Sequence, residues 1–592
     1  MTDRTQRLSA LRREMQIFEM DGFIVPRNDE HQGEYVAASS ERLAWISGFT
    51  GSAGMAIVLT ERAAVFVDGR YTLQAEHEVD GTLFERRHLT ETPATDWLAD
   101  HVTTGMKIAY DPWLHTGASL LRLKQVCEKA GAKLVAAPHN FIDAIWSDRP
   151  NAPQEPVRVH PLSYSGQSHV EKLAEIAAQL KAEKQDCMVL TLPDSIAWAF
   201  NIRGGDIPCT PVALGFALIH ADESADLFMD SAKIDQTVRD HLGSAVRFHE
   251  PDQIGAVLDT LGADKKTVRF DGNSAPEWIY SRLTKAGAQV VVADDLTLMP
   301  KACKNAVEVE GMRTAHRRDG ATMVRFLRWL SEQPAGPDIN ELSVSQKLNS
   351  LRREDDLFFD YSFPTISGSA ENGAIVHYRV SPETSIPLPE NGLYLVDSGG
   401  QYQDGTTDIT RTIVRGNATP EMKDRFTRVL KGHIALGRAR FPKGTTGSQL
   451  DVLARLPLWE AGMDYDHGTG HGVGSFLNVH EGPQRISKMP SKVALGVGMV
   501  VSNEPGYYKT GGYGIRLENL VCVQPSEGGE REMLAFETLT LCPFDVNGIE
   551  KNLLDPHEID WLNSYHAQVR EALSPLLEGD DLTWLIAATQ PI

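Results

Sequence analysis

Four carboxylates and a run of histidines between residues 397 and 518 carry the strongest chemical signal in this chain. In Gly392 to Asp397 an apolar strand ends on an acid, and the next strand, Thr406 to Thr412, carries a second acid, Asp408. A hairpin turning at Asp404-Gly405 would set the two carboxylates side by side. The construction recurs: Val500 to Glu504 leads through a glycine-rich turn into Tyr513 to Glu518, again placing two acids across a hairpin. Between the pairs lies His467-Gly468-Thr469-Gly470-His471-Gly472-Val473-Gly474. Its glycines admit close backbone approach and bring imidazoles near whatever the acids bind.

Carboxylates crowded into one site repel one another unless a cation neutralises them. Four of them with one imidazole can share two divalent ions about 3.5 Å apart, some carboxylates bridging. An oxygen-rich set with a single nitrogen favours Mn²⁺ over a thiolate-type zinc site, and by ligand type Zn²⁺, Co²⁺ and Fe²⁺ stay open. A single strand-end Asp is ordinarily a turn cap; five such positions together are not explained that way. A lone histidine is ordinarily a hydrogen-bonded core or surface residue, and His316 keeps that reading. Arg516 lies two residues before Glu518 on the same strand face. Its guanidinium could orient a carboxylate or line the site, against the alternative of a surface salt bridge. Tyr508 reads as a wall or hydrogen-bond donor near the metals, or as a packing aromatic.

The elements that must position these residues are legible along the chain. Leu8, Leu11, Met15 and Phe18 recur at helical spacing among arginines, an amphipathic helix and not a signal peptide, expected to stop at a left-handed Gly22 before the strand Phe23 to Pro26. A second helix through Leu173, Ile176, Ala177 and Leu180 precedes the strand Cys187 to Leu192. Leu43-Ala44-Trp45 is echoed by Ile196-Ala197-Trp198, and Phe66-Val67-Asp68 by Phe228-Met229-Asp230, which suggests two similar α/β domains in tandem. Three prolines within Pro150 to Pro156 mark a linker. Asn305 with Glu308 resembles a capping box opening a helix through Val309, Met312, Ala315, Met323, Val324 and Leu327, so a third domain begins near residue 303. Hairpins are expected at Gln403-Asp404-Gly405 and Thr510-Gly511-Gly512, and a final helix from Ile559 to Leu576. The expected domains are 1–155, 156–302 and 303–592.

Composition sets the class. Of 592 residues 42% are hydrophobic and 23% charged, the balance of a folded soluble protein of two to four domains. The net charge of -22 disfavours nucleic acid and anionic membrane surfaces as partners. No apolar run approaches the roughly 20 residues of a membrane span. Six scattered cysteines without a C-x-x-C pair read as reduced thiols, as expected of a cytoplasmic protein.

The segments Asp397-Ser398-Gly399, Thr407 to Thr412, His467 to Gly474, Asn503 to Tyr508 and Gly514 to Asn519 look like the motifs of the pita-bread metallopeptidases, family M24. Phe476 to Pro483 and the overall length resemble the three-domain cytosolic-type Xaa-Pro aminopeptidase (aminopeptidase P) family. Gly48 to Gly54 and Asp68 to Tyr71 fit it too. The resemblance implies an α/β (α+β) architecture, two creatinase-like domains followed by a pita-bread catalytic domain. It implies Asp397, Asp408, His471, Glu504 and Glu518 as ligands of two Mn²⁺ per subunit, with Zn²⁺ or Co²⁺ as substitutes and Asp408 and Glu518 bridging. It implies substrate or catalytic roles for His377, His467 and His480, beside which Tyr508 and Arg516, read from their own positions, are expected to line the site. The expected reaction is hydrolysis of the N-terminal Xaa-Pro bond by a hydroxide bridging the ions, with Glu504 handling the proton and His480 the oxyanion. Peptides with proline second are the expected substrates, and a homodimer the expected assembly. The competing readings are a prolidase restricted to dipeptides, a methionine aminopeptidase, against which some 300 preceding residues argue, and a non-catalytic binding scaffold, which predicts missing ligands.

Overall fold

The computed structural model describes residues 4–592. It divides into two compact units, one running to Pro161 and again from Gln167 to Leu298, the other comprising Leu162–Gly166 and Met299–Ile592.

The first unit contains two six-stranded sheets of one design. Helix α1 (Arg4–Ile17) buries Leu8, Leu11 and Met15. It ends earlier than the sequence suggests, with Glu19 taking the left-handed turn at φ 53°. Gly22 is not the cap. It opens strand β1, where a Cβ would come within 2.6 Å of the Leu59 side chain, so the glycine serves close strand approach. Strands β1 (Gly22–Pro26), β2 (Gly54–Leu59), β3 (Ala63–Val67), β4 (Glu85–His88), β5 (Lys107–Tyr110) and β6 (Lys133–Ala136) lie in the order β4-β3-β2-β1-β5-β6. After helix α2 (His169–Ala182), opened by a Ser168–Glu171 capping box, come β7 (Cys187–Leu190), β8 (Phe216–His220), β9 (Ala225–Phe228), β10 (Val246–His249), β11 (Thr267–Phe270) and β12 (Gln289–Val292). Their order, β10-β9-β8-β7-β11-β12, repeats the first. In both sheets the central three strands pair antiparallel and the outer ones join in parallel. The short echoes in the sequence thus fall in two copies of one topology. Strand β7 stops two residues before the expected Leu192 because Pro193 starts a helix. Residues 147–156 form neither helix nor strand.

In the second unit helix α3 (Ala306–Ser331), capped by Asn305 and Glu308 as its sequence indicates, is followed by α4 (Glu341–Arg352). A three-stranded sheet of β13 (Ile366–Ser369), β14 (Gly392–Ser398) and β15 (Ile409–Arg415) has β14 at its centre. Helices α5 (Pro420–Gly437) and α6 (Gly447–Trp459) pack together, flanked by a six-stranded sheet. That sheet comprises β16 (Arg440–Pro442), β17 (Gly470–Gly472), β18 (Glu481–Ile486), β19 (Val500–Asn503), β22 (Asn519–Ser526) and β23 (Met533–Thr538), in the order β16-β23-β22-β19-β17-β18. Strands β20 (Gly506–Lys509) and β21 (Tyr513–Arg516) form a separate hairpin. The main core gathers Val324, Phe426, Leu430, Ile434, Ile515, Leu517 and Leu562. The C-terminal helix α7 (Pro556–Leu573) ends before the expected Leu576, since Ser574-Pro575-Leu576 tighten into a 3₁₀ turn ahead of α8 (Gly579–Ala588).

The acid-bearing hairpins differ in detail from the simple form expected. Strand β14 pairs with β15, Asp397 opposite Thr410, while the Asp404-Gly405 turn closes a smaller hairpin of Gly400–Tyr402 against Gly405–Thr406. Thr407 holds the junction: its hydroxyl accepts from the Gly400 N–H at 2.9 Å and donates to buried Asp319 at 3.0 Å. Likewise β19 pairs with β22, Asn503 opposite Asn519, and the glycine-rich turn closes only β20 and β21. Asp408, Glu504 and Glu518 therefore lie just beyond strand ends, where a long ladder gives way to a short one, and Asp397 sits next to the end of β14.

Candidate active site

Placement at strand ends turns these carboxylates toward one another. Ligand-capable atoms of Asp408, His471 and Glu518 all lie within 4.8 Å of each other. His471 Nε2 stands 3.4 Å from Asp408 Oδ2 and 3.6 Å from Glu504 Oε1. Asp397 is close enough to Asp408 and Glu504 that both raise its proton affinity.

Hydrogen bonds from neighbouring strands set each group. Thr410 Oγ1 donates to Glu518 Oε2 at 2.7 Å, and the Arg411 guanidinium to the Glu518 carbonyl at 2.6 Å. The Ser502 hydroxyl accepts from the His471 N–H at 2.9 Å and donates to Glu504 Oε1 at 3.2 Å. That spacing depends on Gly470, where a Cβ would lie 2.0 Å from the Ser502 carbonyl oxygen. Arg516 is buried, not a surface ion-pair residue, and donates to Asp397 Oδ2 at 2.6 Å, Thr410 Oγ1 at 3.2 Å and the Tyr508 oxygen at 2.6 Å. Because its oxygen accepts from Arg516, the Tyr508 hydroxyl donates onward to His467 Nε2 at 2.9 Å, and His467 Nδ1–H is assigned to the Gly468 carbonyl at 2.8 Å. Asp397, Arg516, Tyr508 and His467 thus form one chain. The His480 ring meets His471 edge-on, centroids 4.3 Å apart. His377 is half-buried in the turn after the short helix Ala370–Gly373, which packs on β21. His316 is a buried core histidine bonded through Nδ1 to the Met312 carbonyl at 2.7 Å.

The electrostatics describe a site that wants positive charge. Burial pushes the Asp397 carboxyl up to about 7, with Arg516 opposing and Asp408 and Glu504 adding to the rise. Burial raises Glu504 too, against His471 and Arg516, and Glu518 stands well above the carboxylate range through burial and its acidic neighbours. His471 moves the other way from what burial dictates: Asp408 and Glu504 push it up to about 9. Buried Asp397 Oδ1 and Asp408 Oδ1 have no hydrogen-bond partner. Buried acceptors are ordinarily satisfied, so two orphaned carboxylate oxygens beside raised acids fit a cation. With Nδ1–H assigned to the Gly472 carbonyl at 3.0 Å, His471 turns Nε2 to the carboxylates, the nitrogen a divalent ion would take. The donor set fits hard or borderline divalent metals.

Comparison with known proteins identifies the frame. Residues 310–525 match the model of metallopeptidase family M24 and residues 532–592 that of the C-terminal region of peptidase M24. Residues 7–145 and 148–308 each match the creatinase/prolidase N-terminal domain. A probable Xaa-Pro aminopeptidase P of Laccaria bicolor is 42% identical over 99% of this chain and 94% of its own length. The chain belongs to the Xaa-Pro aminopeptidase P family. By that membership it is an enzyme of the metallopeptidase class. A further family member, from Tuber melanosporum, is 41% identical over 100% of this chain and 99% of its own. The family fold is likewise that of the Caenorhabditis elegans X-prolyl aminopeptidase, described as a cytosolic enzyme with a di-nuclear active site. It superposes with a TM-score of 0.95 at 34% identity, covering 100% of both chains.

Sequence reasoning did not single out Thr410, Ser502, Thr469, Asp451 or Arg455. Thr410 follows Asp408 by two residues and so shares its strand face, and Asp451 precedes Arg455 by four on a helix; both spacings were readable signals.

Proposed function

We propose that this enzyme removes the N-terminal residue from peptides with proline in the second position, using two divalent ions, Mn²⁺ by donor type, held by Asp397, Asp408, His471, Glu504 and Glu518. The observation that carries the metal assignment is the pair of orphaned buried oxygens, Asp397 Oδ1 and Asp408 Oδ1, beside Glu518, Glu504 and His471. The proline preference is supported by the names of the relatives. Asp408, His471 and Glu518, whose ligand atoms lie within 4.8 Å of one another, would share with Asp397 and Glu504 in holding the two ions. Bound there, divalent ions would lower the pKa of a water toward neutral and polarise the scissile carbonyl. Glu504, its proton affinity raised and its Oε1 bonded to Ser502, takes the proton of the attacking water and passes it to the leaving proline nitrogen. His480 donates to the developing oxyanion, while His377 and His467 hold the substrate. Arg516 and Tyr508 fix the Asp397 and His467 walls of the site. Proline has no N–H to donate and a fixed φ, so a site reading the ring by shape accepts bonds that other peptidases refuse.

The domain division at about residues 155 and 302, a homodimeric assembly and a cytoplasmic location complete this reading. Among the described residues no helix is long and apolar enough to cross a membrane. The test is release of the first residue from Arg-Pro-Pro, Arg-Ala-Ala and Arg-Pro by chelated protein and by protein reloaded with Mn²⁺. Cleavage of Arg-Pro-Pro only after reloading, with Arg-Ala-Ala inert, is the expected result. Activity confined to Arg-Pro would move the assignment to a prolidase. Inertness toward all three with two metals bound would restore the binding-scaffold reading.

A further inference from the structure

Residues 465–469 precede β17 without belonging to any sheet, yet they carry His467 into the site and lead directly to His471. Backbone outside a ladder must satisfy its buried polar groups elsewhere, and until it does its side chains are not held in one place. Here the partner is helix α6. Arg455, fully buried, donates to the Tyr465 carbonyl at 2.6 Å and to the His467 carbonyl at 2.8 Å. Its Nε donates to Asp451 Oδ2, one helical turn earlier, at 2.7 Å. The other oxygen of Asp451 accepts from Thr469 Oγ1 at 2.6 Å. Since the Thr469 proton is committed to Asp451, the Tyr465 hydroxyl donates to Thr469 Oγ1, also at 2.6 Å. The Tyr465 ring lies 3.9 Å from the Arg455 guanidinium and 4.8 Å, ring to ring, from His467. Finally, the Thr469 carbonyl accepts the N–H of Glu504 at 2.9 Å.

We infer that Asp451, Arg455 and Thr469 are positioning residues that hold the His467 side of the substrate site against Glu504, an assignment that rests on the peptidase reading above. The bonds replace, for five residues, the ladder the backbone lacks. Both carboxylate oxygens of Asp451 are taken within this network, and it meets a metal-ligand residue through backbone, the Thr469 carbonyl accepting the Glu504 N–H. Its effect on turnover runs through the backbone of His467 and Thr469. Losing the Thr469 hydroxyl releases one end of the clamp and frees His467 to move relative to the substrate while leaving the carboxylates in place.

The test uses the full-length, metal-loaded enzyme and its Thr469→Val, Thr469→Ser and Tyr465→Phe variants, with kcat and KM on Arg-Pro-Pro, bound metal and Tm measured for each. Thr469→Val should raise KM about tenfold with kcat changed less than about threefold, the signature of displaced substrate binding. Bound metal should stay at the wild-type level, and Thr469→Ser should restore KM. Tyr465→Phe, which keeps the ring against His467, should raise KM by a smaller factor and gives the answer if Thr469→Val does not fold. A wild-type KM in both Thr469→Val and Tyr465→Phe overturns the inference. So does a loss of activity that follows lost metal or lowered Tm and that serine fails to rescue. Absence of Arg-Pro-Pro cleavage by the wild type would sink the peptidase reading and this inference with it, whereas an active wild type with indifferent variants sinks the inference alone.

Discussion

Arg516 binds one oxygen of Asp397 and leaves the other to the site: Nη2 donates to Oδ2 at 2.6 Å, while Oδ1 is buried without a hydrogen-bond partner. One carboxylate is thus aimed by a guanidinium and keeps a lone pair for a cation, the arrangement expected of a residue that orients a metal ligand.

That relationship predicts the behaviour of Arg516→Lys. A lysine keeps the positive charge but cannot reach Asp397, Thr410 and Tyr508 together from one planar group. Metal affinity or kcat/KM should fall about 10- to 100-fold. Titration with Mn²⁺ and steady-state kinetics on Arg-Pro-Pro check this, and wild-type values in both would reduce Arg516 to a packing residue.

Asp397 also predicts a pH dependence for chelated protein. Its carboxyl is raised by burial to about 7, so the folded chain keeps a proton that the unfolded chain has released. The stability tied to this group is complete below the ordinary carboxylate pKa and is lost as pH rises from about 4 to about 7. The stability of chelated wild type should therefore fall relative to Asp397→Asn across that window, and Mn²⁺ binding near pH 6 should expel protons. Urea unfolding at several pH values and calorimetry in buffers of different ionisation enthalpy measure the two effects. A pH-independent difference between wild type and variant would contradict the buried, proton-holding state.

How much of this was readable beforehand differs by residue. The capping box at Asn305 and Glu308 is local chemistry, written in four consecutive positions, and the helix begins there. The end of α1 was misplaced because Gly22 satisfies two descriptions, a left-handed cap and a point of strand contact, and only the neighbour Leu59 decides between them. The acids stood out since strand-terminal carboxylates repeat at matched spacing. Their pairing did not, because whether the turn at Asp404 closes a long hairpin or a short one depends on Thr407 bonding to Asp319, 88 residues away. Arg516 read as a site residue with a surface salt bridge as the lesser alternative, and its burial removes that alternative. The clamp from α6 was invisible: Asp451 and Arg455 look like an exposed helical ion pair, and the carbonyls they serve lie in a different segment.

Glu504→Gln tests the proton route. Glutamine preserves the shape and can still bond Ser502, but it cannot accept a proton. Turnover should drop about 10²- to 10⁴-fold, with an unchanged circular dichroism spectrum and a Tm within a few degrees of wild type. Retention of wild-type kcat in metal-loaded protein would move the proton transfer to another group.

The residue beside His480 makes the last prediction, one of stability. Glu481 is buried with two lysines, Lys301 at 3.5 Å and Lys304 in direct hydrogen-bond contact, all three side chains nearly inaccessible to water. Two ammonium groups share this one carboxylate in a low-dielectric setting. Removing the carboxylate in Glu481→Ala takes away the counter-charge that the two ammonium groups share, and the loss of a partner from a buried pair costs about 3–5 kcal/mol. The double variant Lys304→Met with Glu481→Leu removes one charge of each sign and should recover part of that loss, since apolar replacement of a buried pair is often neutral. Urea unfolding of the single and double variants reads the difference. Because Glu481 adjoins His480, the single variant should also lower kcat more than it raises KM if His480 serves the oxyanion, as His480→Ala should do directly. Equal stability of the single variant and wild type would mean that water reaches the two lysines and the cluster is not the closed, charge-paired anchor its burial describes.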